Sequence, residues 1–182
     1  MKNKKFGNIQ LYDYKPTIIA EAGVNHNCNL NLAKEYIDLA SKGGANAIKF
    51  QTYQADKLVS KTSLAYWDTK KEKIQNQYEL FKKYEKFNFS DYSVLHNYCL
   101  KKKILFMTTL FDTESVDKYN KLINIYKISS SDITNVPLLK AISKKKKHTI
   151  ISTGASTIDE IKTAINYLNL PKEKICIMHC VL

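Results

Sequence analysis

"NAIKFQTY", residues 46–53, sets a lysine inside an apolar run: Ala47 and Ile48 precede Lys49, and Phe50 follows it. Residues of this kind, apolar, β-branched and aromatic, belong in a buried strand. A buried ammonium is costly there unless something pairs with it. The same arrangement returns in "NIYKISSS", residues 124–131, where Lys127 stands among Ile125, Tyr126 and Ile128. Two lysines in strand-like runs raise the question of what they hold.

Outward from these two runs, apolar strand candidates recur at 17–23, 46–51, 104–109, 125–129, 148–153 and 174–180. Segments of helical length separate them. "LNLAKEYIDLASKGG" (30–44) repeats apolar residues at helical spacing and stops at Gly43 and Gly44, and "TIDEIKTAINYLNL" (157–170) opens on a threonine cap with acids in its first turn. Residues 112–123 and 134–147 have the same character. The long interval 52–103 reads as a polar loop followed by helices near 74–86 and 91–102. Strand and helix in alternation predict a parallel sheet with helices packed against it.

Two architectures fit that rhythm, an open doubly wound sheet and a closed barrel. The dinucleotide-binding form of the first demands a G-x-G-x-x-G turn, and "EAGVNHNCN" (21–29) offers one glycine. The placement of polar residues chooses the barrel. Every strand turns polar at its C-terminal end: Glu21; Lys49 and Gln51; Thr108 and Thr109; Lys127 and Ser129–Asp132; Ser152 and Thr153; His179. A (β/α) barrel gathers its chemistry at that rim, whereas an open sheet concentrates it at one switch point. The expected fold is therefore α/β, an incomplete (β/α)8 TIM barrel with about six strand–helix units. Residues 15–182 form the partial barrel and residues 1–14 an N-terminal extension. A complete barrel takes about 250 residues, and this chain has 182.

Composition narrows the function. The chain is 44% hydrophobic, without a run of roughly 18 apolar residues or a secretory leader. Its formal charge of +12 suggests nucleic acid, yet all 29 basic residues are lysines and none is arginine. Base readout and forked phosphate contacts favour arginine. Clusters such as Lys101–Lys103 and Lys144–Lys147 read as solvated helix ends. None of the four cysteines forms a C-x-x-C pair, and strand alternation would turn His179 away from Cys176 and Cys180, so no shared metal is expected. These features indicate reduced thiols in a cytoplasmic protein with neither membrane nor nucleic-acid partner.

The groups at the expected rim are two lysines, several hydroxyls, one glutamate, one aspartate and one amide. Lysines and hydroxyls, with backbone N–H groups exposed near "STGAS" (152–156), make a site for a small anion, a phosphate or a carboxylate. Glu21 and Asp132 remain to bind a polyol or move a proton. Lys49 and Gln51, two residues apart on a strand, share a face. Competing structural readings exist: the lysine stems could snorkel to water, the hydroxyls could satisfy local backbone, and His26 and His179 could be turn or core histidines.

Four stretches in order, "IIAEAGVNHN", "AIKFQTYQADKLVSK", "YKISSSDITNVPLL" and "IISTGASTIDEI", resemble the sialic acid (N-acetylneuraminate) synthase family from about residue 15 onward. The resemblance implies a (β/α)8 barrel followed by a small antifreeze-like domain. It implies an enzyme that condenses phosphoenolpyruvate with an open-chain N-acylated amino sugar of the N-acetylmannosamine type, releasing phosphate and forming a 2-keto acid. By that resemblance Lys49, Thr109, Lys127, Ser130 and Ser152 hold phosphoenolpyruvate. Glu21 is an acid at the reacting centre, Gln51 contacts the sugar, and Asp132 stands where many members carry glutamate. Cys28 and Leu110 depart from the family pattern. The family also uses a divalent metal, Mn or Mg, whose two histidine ligands lie beyond the sixth strand and have no counterpart in residues 1–182. The chain is thus expected not to turn over substrate by itself, and to meet either a second copy or a fragment supplying the remaining strands. A phosphoenolpyruvate or sugar-phosphate binder without catalysis is the alternative.

Overall fold

The computed structural model of the protein describes residues 5–11 and 15–181. A short antiparallel hairpin, β1 (Lys5–Phe6) and β2 (Ile9–Gln10), precedes a sheet of six parallel strands. These are β3 (Ile19–Gly23), β4 (Ala47–Thr52), β5 (Leu105–Leu110), β6 (Ile125–Ile128), β7 (His148–Ser152) and β8 (Ile175–Met178). Each lies beside its predecessor, so the sheet curls as a half-barrel with β3 and β8 at its two edges. The helices between strands are α1 (Leu30–Lys42), α2 (Ala55–Leu58), α3 (Gln77–Tyr84), α4 (Phe89–Lys101), α5 (Thr113–Tyr119), α6 (Val136–Ser143) and α7 (Ile158–Leu168). The strand–helix alternation expected from the sequence is the one observed.

Helix boundaries follow local chemistry. The side chain of Asn29 accepts from the backbone of Asn31 and Leu32 to start α1, and Gly43 closes it. Reciprocal capping boxes, Asn88 with Asp91 and Thr157 with Glu160, start α4 and α7. Each satisfies donors that a helix end would otherwise leave unpaired.

Period-two alternation gives the sheet two apolar faces. Ile48, Phe50, Phe106, Tyr126, Ile128 and Ile151 join a core with Ile37, Leu95, Leu138 and Leu168 from the helices. The opposite, inner face carries Ala47, Met107, Ile125 and Ile150, and the hairpin inserts Phe6 and Ile9 among them. Burying a side chain of this size is worth roughly 1.5–3 kcal/mol. Gly7 makes the close approach possible. Its φ is +58°, and a Cβ there would meet Ile125 Cγ1 at 2.8 Å. The hairpin thus closes the N-terminal end of the inner face, and the polar residues lie at the other end.

The last strand is shorter than the sequence suggested. It ends at Met178, so alternation does not extend to the cysteine at 180. Cys176 packs against the inner apolar layer, His179 is exposed, and the Cys180 thiol turns back to accept the Gly154 N–H at 3.1 Å. The lysine cluster after α6 also departs from a simple solvated end: Lys147 donates to the carbonyls of Asn120 and Ile123 at 2.6 and 2.7 Å. No helix among the described residues is long and apolar enough to cross a membrane.

Candidate anion-binding site at the barrel mouth

Register determines which polar groups meet. Glu21 pairs with Lys49 across β3 and β4, Gln51 with Thr109 across β4 and β5, and Thr109 with Lys127 across β5 and β6. These residues continue the inner face beyond its apolar layer. Lys49 is 8% exposed and donates to Thr109 Oγ1 at 2.9 Å. Its Nζ also lies 3.0 and 2.8 Å from the two carboxylate oxygens of Glu21, whose side chain is half exposed. Lys127, 9% exposed, donates to Ser152 Oγ at 2.6 Å and to the Ile128 carbonyl at 2.9 Å. Neither lysine snorkels to bulk water. Their stems lie beside Met107 and Ile150, their register partners, and their heads lie on one lining.

The two ammonium groups are not equivalent. Lys49 has a carboxylate counterion, whereas Lys127 has neutral oxygens only. Burial, with repulsion from Lys49 second, lowers the Lys127 ammonium to about 8, and Cys180 and Glu21 pull weakly the other way. A cation held by neutral acceptors in a partly dry site is poised to receive an anion.

The β3 strand bulges between Glu21 and Gly23, a device common beside functional sites. Gly23 at φ +53° leaves open the space between Glu21 and Gln51; a Cβ there would stand 3.6 and 3.9 Å from their side-chain oxygens. The turn beyond holds His26, which is buried and stacked on Phe87 at 4.5 Å, with Nδ1 accepting from the Cys28 N–H. Burial lowers its imidazolium to about 4, which favours the neutral ring, and its Nε2 is buried with no hydrogen-bond partner among the described residues.

The remaining expected residues spread around this centre. Gln51 reaches a neighbouring cavity, and its side-chain amide has no hydrogen-bond partner among the described residues. Ser130 and Asp132 form a 3-10 turn after β6. Ser130 faces a groove with Gly154, Ala155 and Ser156 rather than either lysine head. Asp132 is buried; its Oδ1 accepts from Asn135 Nδ2 at 3.1 Å, its Oδ2 has no partner, and burial raises its carboxyl. The backbone amides expected to be open near "STGAS" are partly consumed: Thr153 N–H goes to the Met178 carbonyl and Gly154 N–H to Cys180. Sequence reasoning passed over the cavity walls, Tyr53, Phe81 and Phe111 among them. Their only signal was aromatic content: Tyr53 in the stretch read as a polar loop, Phe81 in the helix expected near 74–86, and Phe111 just after the third strand candidate.

A divalent metal does not fit the described residues alone. Both Glu21 oxygens serve Lys49, and among the described residues no group of three or more His, Cys, Asp or Glu side chains could hold a metal ion.

Parallel strands here deliver buried lysines and hydroxyls to one mouth, the arrangement of a (β/α)-barrel-like protein. The chain belongs to the NeuB family, whose model matches residues 36–182. It is 40% identical over 172 residues to N,N'-diacetyllegionaminic acid synthase of Campylobacter jejuni, covering 91% of this chain and 51% of that protein. The Legionella pneumophila enzyme of the same name is 40% identical over 171 residues, covering 90% and 48%. Among solved structures, the sialic acid synthetase of Leptospira borgpetersenii, in complex with citrate, superposes with a TM-score of 0.79 at 35% identity. That match covers 97% of this chain and 58% of the other. The chain spans about half the length of the curated relatives it matches.

Proposed function

We propose that this chain forms the phosphoenolpyruvate-holding part of a nonulosonic acid synthase, which joins phosphoenolpyruvate to an N-acylated amino-sugar aldehyde and releases phosphate. The observation that carries this reading is the continuous inner-face lining Glu21–Lys49–Thr109–Lys127–Ser152. Two cations and two hydroxyls suit a ligand with a phosphate and a carboxylate on a three-carbon frame. In this reading Lys127 and Ser152 take one anionic group, while Lys49 and Thr109 take the other. Glu21, half exposed beside Lys49, exchanges a proton with substrate or water. Gln51 meets the sugar, and Ser130 and Asp132 close the side beyond β6. The names of the relatives support an acid synthase. The divalent metal that the family resemblance implies has no ligand set among the described residues, and no step of this reading runs through it.

Calorimetry with phosphoenolpyruvate tests the proposal without requiring turnover. Removing one charge-assisted contact costs roughly 1.5–3 kcal/mol, about 10- to 150-fold in affinity. Lys49→Ala and Lys127→Ala should each weaken binding within that range. Equal affinity in wild type and both variants would overturn the assignment.

A further inference from the structure

The six parallel strands all point their C-terminal ends at the mouth, so the helices that return between them end on the opposite, basal face. Lysines gather there. Lys42 ends α1, Lys101–Lys103 close α4, Lys121 follows α5, Lys144–Lys147 follow α6, and Lys172 and Lys174 precede β8. Neighbouring connections touch one another. Ser41 Oγ donates to the Lys102 carbonyl at 2.9 Å, Lys147 reaches the connection after α5, and Lys174 Nζ donates to the Lys146 carbonyl at 2.8 Å. The lysines therefore share one surface. Glu173 is the one carboxylate in these connections among the described residues, while Asp38 of α1 and Asp117 of α5 pair with Lys102 and Lys145. Acids stand instead at helix starts on the mouth side: Asp91, Glu114, Asp159 and Glu160.

Aligned helix dipoles favour that division of charge, but their effect fades within the last turn. Lys103, Lys121, Lys146 and Lys172 lie beyond it. Lys103 and Lys146 also hold φ of +57° and +55°, a left-handed conformation that glycine or asparagine adopts with less strain. Folding stability alone would not choose lysine at either position. Spread along the sequence, these lysines point to no partner; gathered on one face by the fold, they do.

We propose that the basal face docks the protein on an anionic lipid leaflet, with the mouth turned away from the bilayer. This assignment does not depend on what the mouth binds. Ammonium groups without a single arginine suit the smeared charge of a headgroup layer better than forked recognition of individual phosphates. Leu100, 61% exposed beside Lys101, adds an aliphatic chain that can enter the interface. Nucleic acid is the weaker fit. Tyr98 and Tyr167, rings near the ends of α4 and α7, carry Lys102 and Lys140 over their faces at 5.1 and 5.3 Å, so cations already occupy the places where bases would stack.

The test is sedimentation of the full 182-residue chain with vesicles of pure phosphatidylcholine, or of two parts phosphatidylcholine to one part phosphatidylglycerol. A gel shift with a random-sequence DNA duplex runs beside it in the same buffer. The chain should bind the anionic vesicles at about 0.1 M salt, release them near about 0.5 M, and ignore the neutral ones. Lys103→Asn and Lys146→Asn each remove a charge where asparagine suits the backbone, so both variants should fold. Each should weaken vesicle binding about fivefold, and the pair about 25-fold. Lys70→Asn with Lys71→Asn removes equal charge from the excursion between β4 and α3, and should weaken binding far less. No vesicle binding, equal binding to both vesicle types, a duplex shift at lower protein concentration than vesicle binding, or equal losses from the two pairs would overturn the proposal.

Discussion

Raising the pH from 7 to 9 during a phosphoenolpyruvate titration perturbs the site through Lys127. Burial and the nearby Lys49 hold its ammonium at about 8, against weaker pulls from Glu21 and Cys180. In the free protein about nine-tenths of Lys127 is charged at pH 7 and about one-tenth at pH 9. If the anion needs the charged form, its apparent dissociation constant rises about tenfold across that interval. The ligand's phosphate ionises near pH 6, below the window. Calorimetry at half-unit steps would trace the curve, and the wild type should take up protons on binding near pH 8. Lys127→Met should bind weakly with a flat profile. The same displacement has a consequence for folding. A lysine lowered in the folded state leaves the unfolded state more protonated between about 8 and 10.5, so its burden on stability is full below 8 and relieved as pH rises through that range. The full displacement amounts to roughly 3 kcal/mol, and Lys127→Met should remove that part of the pH dependence. Affinity constant from pH 7 to 9 would refute the reasoning.

Two further outcomes follow from the fold and the site. Gly7→Ala drives a methyl into Ile125 at a left-handed φ, and should cost roughly 1–3 kcal/mol in urea unfolding, whereas Gly44→Ala, with open space but the same hand, should cost less. Asp132 carries a carboxyl raised by burial, so its ionisation penalises the folded state increasingly as pH climbs past the unfolded carboxylate value. The stability of Asp132→Asn relative to wild type should therefore improve from pH 4 to pH 7, and a constant difference would contradict that reading.

The barrel-like fold was legible because its two periodicities are local. Lys49 and Gln51 share a face by alternation, and Gly43 and Thr157 mark helix ends by chemistry that needs no distant partner. The lysine lining was legible for a related reason: an ammonium among Ile48, Phe50, Tyr126 and Ile128 must have a purpose. Three things were not. Phe6 and Ile9 enter the inner core through a hairpin whose apolar residues are too few to show a period. The cavity is assembled from residues that lie far apart in the chain, Tyr53, Phe81 and Phe111, so no window contains its pattern. The Thr153 and Gly154 amides look free in sequence and are taken by Met178 and Cys180, which only the β7–β8 pairing brings near.

Nitrogen-15 NMR of the lysine side chains, followed while phosphoenolpyruvate is added at pH 7, observes the ammonium groups themselves. Large changes should appear at the resonances assigned to Lys49 and Lys127 and saturate together, with the surface lysines of 144–146 nearly still. Movement confined to surface lysines, with positions 49 and 127 unaffected at saturation, would contradict the claim that the half-barrel's inner face grips the anion.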